Sequence, residues 1–387
     1  MKKALAFALS LAMVFSMTGC GKKEKETEAP KATTTEAATE KTTSDEVYKV
    51  ALVIAGTLGD KSFYDSANSG LEMLKEELGD GFEFKVEQMG GGSADQVNWE
   101  PTLLDYCDTG DYDMIITGSW QMAVALASAA DMYPDHKFIY FDETYDFEGN
   151  GDNGNIYNVL FKQNEVSYLA GALAGMMTKT EGIEGIDASN NIISVLGGMD
   201  SVVINDFIVG YIQGALDVNP DIQVAVSYVG NFDDSAKGKD LSLAMYNSGA
   251  DVGFNVAGNA GNGLIEAAGE TGKYAIGVDS DQAVTMPNYA SSIPTSAMKN
   301  VGNALYRAIK MDMEGTLAYG TIETLGFAEG GVELVKDAHF EELVPEDIRA
   351  TVEELQNKIT SGEIEVYSAL TMSTDEIEEL KSSVAVQ

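Results

Sequence analysis

The chain has 387 residues, 44% of them hydrophobic and 9% aromatic, which is enough for two α/β lobes with sizeable cores and too apolar for a disordered protein. Its formal charge of −38 excludes nucleic acid as the default partner, because phosphate binding needs a basic face. The same charge opposes adhesion of the folded body to an anionic lipid surface and otherwise serves solubility.

Residues 1–19 are a separate signal. Lys2 and Lys3 form a positive start, and the apolar stretch 4–17 is too short to span a bilayer comfortably. It ends in Met17-Thr18-Gly19-Cys20, close to a bacterial lipobox with Met in place of the usual Leu. Cys20 is therefore the expected lipidation site and membrane anchor; an ordinary secretory peptide with a chance cysteine is the alternative. Cys107 is then the one remaining thiol, so no intrachain disulfide is expected. Residues 20–46 are built from Lys, Glu, Thr, Ala and Ser without periodic apolar positions, and are expected to be a flexible tether.

From Tyr48 the pattern changes. Short apolar runs at 50–54, 82–86, 114–117 and 137–141 alternate with helical patterns at 62–78, from Trp99, and at 122–132. The rhythm restarts with a strand at 156–161, a helix at 166–177 carrying Ala170, Gly171, Ala174 and Gly175 for close packing, and strands at 192–196, 222–226, 252–256 and 274–278. Strand and helix alternating at this spacing predict parallel sheets covered on both faces. Two such units favour two doubly wound lobes; a single extended Rossmann-type domain is the structural alternative. In such sheets ligands sit beyond the carboxyl ends of the strands. That places candidate chemistry in the turns 56–63, 118–121, 142–145, 197–200, 257–263 and 279–282.

The parts of an enzyme are missing. His136 and His339 are the two histidines, and His136 follows Pro134-Asp135 in a turn, where a solvated ring is expected. H-E-x-x-H, C-x-x-C and G-x-S-x-G are all absent. The run 269–274 has the wrong spacing for a phosphate loop. The acidic loop 146–152 lacks a glutamate at its twelfth position, which is Tyr157, so calcium is not expected. The glycines of 258–263 do not form the dinucleotide fingerprint, although they let backbone approach a ligand at a helix start. No catalysis, metal or cofactor is expected.

Several stretches taken together resemble the basic membrane protein (BMP) family of lipoproteins, which includes purine nucleoside receptors. They are Gly59-Asp60-Lys61-Ser62-Phe63, Gly197-Gly198-Met199-Asp200, Tyr228-Val229-Gly230-Asn231-Phe232, Ala236-Lys237-Gly238-Lys239, the run from Ala244 to Asp251, and Gly277-Val278-Asp279-Ser280-Asp281-Gln282. The resemblance implies a type I periplasmic-binding-protein fold whose lobes close on a small solute, and delivery of that solute to an ABC permease in the membrane. It implies a first lobe of residues 47–162 and 299–325, a second of 163–298, and a third crossing with a helical end in 326–387. It further implies a base held between Phe63 and Phe207, with Asp142 facing the base. Asp279 and Lys299 would grip the ribose hydroxyls, beside the glycine turn of Gly258 and Gly261.

The sequence also departs from the family. Ala55 or Gly56 stands where an aspartate usually follows the first strand, Tyr64-Asp65 replaces Asn-Gln, and Asn259 and Asn262 interrupt the glycine turn. The missing carboxylate weakens the case for purines, while Asp279 and Lys299 keep the case for a riboside or other vicinal diol. A sensory or adhesive lipoprotein of the same fold, and a lipid-anchored enzyme with an unrecognised carboxylate pair, are the competing functions.

Overall fold

A computed structural model describes residues 47–151 and 154–386. The signal, the Cys20 lipidation site and the tether lie outside the described residues.

The first lobe is laid down by β1 (Tyr48–Ile54), α1 (Phe63–Leu78), β2 (Phe82–Gln88), α2 (Gln96–Thr109), β3 (Met114–Gly118), α3 (Ala123–Met132), β4 (Phe138–Phe141) and β5 (Ile156–Phe161). The second follows with α4 (Gln163–Met177), β6 (Ile192–Gly197), α5 (Val202–Val218), β7 (Gln223–Tyr228), α6 (Ser235–Asn247), β8 (Ala250–Val256), α7 (Gly258–Thr271), β9 (Tyr274–Val278), α8 (Gln282–Thr285) and β10 (Ser296–Lys299). The chain then returns through α9 (Val301–Met313) and β11 (Thr321–Leu325), crosses back as β12 (Val332–Leu334), and ends in α10 (Ala338–Leu343), α11 (Glu346–Thr360) and α12 (Thr374–Ser383).

Two six-stranded sheets result, ordered β11-β5-β4-β3-β1-β2 and β12-β10-β9-β8-β6-β7. Their pairings are parallel except for β12 against β10. The three passages between sheets, β5 to α4, β10 to α9 and β11 to β12, all lie at one edge of each sheet, which leaves the opposite edges as the mouth of a cleft. The two doubly wound lobes expected from the alternation are present.

β1 shows why the strands read as continuous apolar runs. Val50, Leu52 and Ile54 enter the core beneath α1, whereas Ala51, Val53 and Ala55 face α2 and α3 on the other side. α1 buries Ala67, Gly70, Leu71 and Leu74, the three-and-four spacing of a one-sided helix. Helices α4 and α5 pack backbone to backbone: a Cβ on Gly171 would stand 1.9 Å from the Tyr211 carbonyl oxygen, and one on Gly214 1.9 Å from that of Tyr168. The small residues noted in the sequence serve this contact. α4 starts at Gln163, earlier than its apolar period shows, because the chain end covers its polar first turn. The Asn164 amide donates to the carbonyls of Val366 and Tyr367, and Asp206 on α5 accepts from Gln163, Ser368 and the Ala369 amide. Among the described residues no helix is long and apolar enough to cross a membrane.

Candidate functional site

Between the lobes lies a cleft of about 890 Å³, counting the open space at its mouth. Its walls are the turns that follow the parallel strands, as the strand-end rule requires: Ala55 after β1, Ser119 to Gln121 after β3, Asp142 after β4, Ser201 after β6, Gly258 after β8 and Asp279 after β9. Phe63, Asp142, Phe207, Gly258, Asp279 and Lys299 all line it.

Lys299 ends β10 at one of the crossings and is 3% exposed. Its Nζ donates to Asp142 Oδ1 at 2.7 Å and stands 3.9 Å from Asp279 Oδ1. The ammonium also lies 4.8 Å from the ring centre of Phe63, on the first lobe, and 5.2 Å from that of Phe207, on the second. Phe63 is partly buried beside Tyr64 and Phe141, while Phe207 is buried against Phe254. Two rings from opposite lobes therefore flank one cation and two carboxylates. Asp142 belongs to this charged group and does not stand apart from the Asp279–Lys299 pair, since its closest partner is the same ammonium.

Burial pushes the Asp142 carboxyl up to about 6, a rise that Lys299 holds back. Burial raises Asp279 as well, opposed by Lys299 and by the hydroxyl of Ser62. Ser62 Oγ donates to Asp279 Oδ2 at 2.7 Å, yet Oδ1, equally buried, has no hydrogen-bond partner. Asp60 is also raised to about 6 by burial; it accepts the backbone N–H groups of Ser62, Tyr64 and Asp65 and so caps α1. Asp142 and Asp279 both have positive φ, 66° and 61°, a left-handed backbone that Asp tolerates better than most residues.

The lobes are closed on each other. Besides Ser62 to Asp279, Ser280 Oγ donates to the Ser62 carbonyl at 3.1 Å and the Asn262 amide to the Asp60 carbonyl at 3.3 Å. The turn 60–62 is thus a bolt held by the second lobe.

One expected residue falls elsewhere. Gly261 does not line the cleft: it lies inside α7, where a Cβ would come 1.5 Å from Asn255 Oδ1, so close packing requires the glycine. Other lining residues were not anticipated. Gly91 follows β2 and Phe232 and Asp233 follow β7, and the strand-end rule applied to these two edge strands would have found them. Tyr64, a departure from the family pattern, lines the cleft as well. Its ring lies over Gly56, where a Cβ would meet it at 2.1 Å, and its hydroxyl donates to the Ala55 carbonyl, so it fills the space beside the first strand end. Among the described residues no group of three or more His, Cys, Asp or Glu side chains is placed to hold a metal ion.

Comparison with known proteins agrees with this geometry. Residues 47–369 match the family model Bmp, described as ABC transporter substrate-binding protein PnrA-like. The chain is 31% identical over 322 residues to basic membrane protein A1 of Borrelia garinii, covering 82% of this chain and 88% of that one. It is 31% identical over 330 residues to the ABC transporter nucleoside-binding protein BmpA of Lactococcus lactis, covering 81% and 88%. Among solved structures, ABC transporter solute-binding proteins from Aeropyrum pernix superpose with a TM-score of 0.72 at 26% identity, covering 88% of this chain and all of that one. With that match over residues 47–369, the chain belongs to the Bmp family of ABC transporter substrate-binding proteins, non-enzymatic receptors that take a small solute outside the cytoplasm for a membrane permease.

Proposed function

We propose that this receptor binds a ribonucleoside, purine nucleosides among them, and that a lipid on Cys20 holds it at the membrane. The observation that carries the solute reading is Asp279 Oδ1, a buried acceptor without a partner, beside an ammonium flanked by two phenyl rings. A vicinal diol supplies what that group lacks. One hydroxyl donates to Oδ1, and the other accepts from Lys299 or donates to the same carboxylate. Phe63 and Phe207, one from each lobe, offer faces for a flat heterocycle between the closed lobes. The nucleoside-binding relative in Lactococcus supports the same class.

The test is calorimetric titration of inosine and 2′-deoxyinosine. Each charge-assisted hydrogen bond is worth about 1.5–3 kcal/mol, so the ribose form is expected to bind at least about tenfold more tightly. Equal affinities would remove the diol clamp.

A further inference from the structure

Solute binding explains the strand ends that line the cleft, but not the polar side chains behind them. The turn that leads into α1 is stiff. Asp60 accepts the amides of Ser62, Tyr64 and Asp65, and Asp65 accepts those of Gly59 and Lys61. This bracing holds Lys61 at a φ of 58°, a left-handed backbone uncommon for lysine. The three successive carbonyls of Asp60, Lys61 and Ser62 are taken by side chains of the second lobe. Asn262 Nδ2 donates to that of Asp60 at 3.3 Å, and Ser280 Oγ to that of Ser62 at 3.1 Å. Gln282 Nε2 and Thr285 Oγ1 donate to that of Lys61 at 3.5 and 3.4 Å.

The donors are fixed from within their own lobe. Gln282, fully buried, accepts from Asn255 and from the Val278 amide, and its Nε2 also donates to Asn262 Oδ1 at 3.3 Å. Asn262 donates in turn to Asn259 Oδ1. Asn262, Ser280, Gln282 and Thr285 do not line the cleft, so their bonds to the turn need no solute atom. Asp65 and Asn262, both departures from the family pattern, thus stand on the two sides of one contact. The place of the turn gives that contact leverage. It follows β1, beside the edge strand β2, whereas the crossings lie at the β11 edge of the sheet. Rotation of the lobes about the crossings moves this turn far, and opening breaks its bonds.

We infer that Asn262, Ser280, Gln282 and Thr285 are positioning residues that form a closure latch on the carbonyls of residues 60–62. They set how far the lobes favour the shut arrangement, and how fast a captured solute leaves, without touching that solute. The inference holds for whichever solute the cleft takes. An equilibrium between open and shut lobes is biased by any contact made in one state alone, and the latch is made only in the shut state. Its bonds are long, so each is weak, and a solute held behind them can still be released. Losing one donor therefore shifts closure while leaving the groups that face the solute in place.

The experiment is electron–electron double resonance between spin labels at Val124→Cys and Val202→Cys, exposed positions on opposite lobes, in a Cys20→Ser chain whose other thiol, Cys107, is buried. This parent is compared with Asn262→Ala and Ser280→Ala. Without solute, the parent is expected to populate the short, shut separation. Either variant should lower the weight of that separation against the open one by about two- to tenfold. Stopped-flow displacement of inosine and of 2′-deoxyinosine should show both leaving faster by a common factor of about two to ten, with the ratio of their affinities unchanged. Thr285→Val, at an exposed position, keeps the test open if Asn262→Ala does not fold. A parent wholly open without solute, unchanged separations in the variants, or an altered ratio between the two sugars would each overturn the latch. Failure of both nucleosides to bind would overturn the ribonucleoside reading alone, and the separations measured without solute would still decide the latch.

Discussion

Asp279 Oδ1 is a buried acceptor without a hydrogen-bond partner, and the proposed diol clamp would give it one. A buried acceptor left unmatched costs about 1–3 kcal/mol, and a neighbour 3.9 Å away does not satisfy it. Asp279→Asn keeps the shape and removes the charge. It is expected to raise the melting temperature of the unliganded protein by a few degrees, at about 2–4 °C per kcal/mol for a domain of 150–250 residues and less in this longer chain, while weakening ribonucleoside binding at least about tenfold. Thermal unfolding beside calorimetry reads both, and a destabilised variant with normal affinity would make Asp279 structural. At this scale the sequence was informative where a residue stands at a strand end, as Asp142 and Asp279 do. It was misleading where a motif residue lies one turn inside a helix, as Gly261 does: the sequence shows the glycine but not that Asn255 packs against it. The commitment of Lys299 to Asp142 was equally hidden, since it joins residues 157 positions apart.

The α4–α5 contact is where composition translated most directly into architecture. A run of small residues on an apolar helix predicts close approach, and the carbonyls of Tyr168 and Tyr211 are what approach. Gly214→Ala is therefore expected to destabilise the fold by about 1–3 kcal/mol, because the neighbour in the way is backbone and cannot rotate aside. As α5 also carries Phe207, the same change should weaken ligand binding. Unaltered denaturant midpoint and affinity would show that the helices can part without consequence. The strands were legible for a similar reason, since a parallel strand buried on both faces is a short uninterrupted apolar run. The docking of residues 366–369 on the starts of α4 and α5 was not legible. Asn164, Asp206 and Ser368 are polar and lie in no periodic pattern, and their pairing becomes visible only when the chain end is brought back to the second lobe.

For the whole molecule, Cys20→Ser is expected to move the protein from the membrane fraction to the soluble fraction with an unchanged melting temperature, because a diacylglyceryl anchor supplies the two chains that stable attachment needs. Retention after a carbonate wash would overturn the anchor. Acid should then separate folding from binding. Burial raises Asp60, Asp142 and Asp206 to about 6, above the unfolded carboxyl value, so the folded state holds these protons more tightly than the unfolded chain does. The stability they contribute is present at acid pH and is lost as pH rises from about 4 through about 6. The formal charge of −38 has the same sign of effect, since each proton taken up relieves repulsion. Burial raises Glu143, Asp233, Asp279 and Asp281 as well and adds to this trend, whereas Glu77, lowered by hydrogen bonds from Lys310 and Tyr306, opposes it at more acid pH. Binding runs the other way. The proposed diol clamp would need an ionised Asp279, whose carboxyl burial has raised, because protonation turns one of its acceptor positions into a donor. Between pH 7.5 and 5 the melting temperature should therefore rise, and as acid protonates Asp279 ribonucleoside affinity should fall, with that of the 2′-deoxy form, which leans less on Asp279, falling less. Parallel melting and calorimetric series across that range decide it. A melting temperature that drops toward pH 5 would refute the burial argument, and a pH-independent ribose preference would detach Asp279 from the sugar.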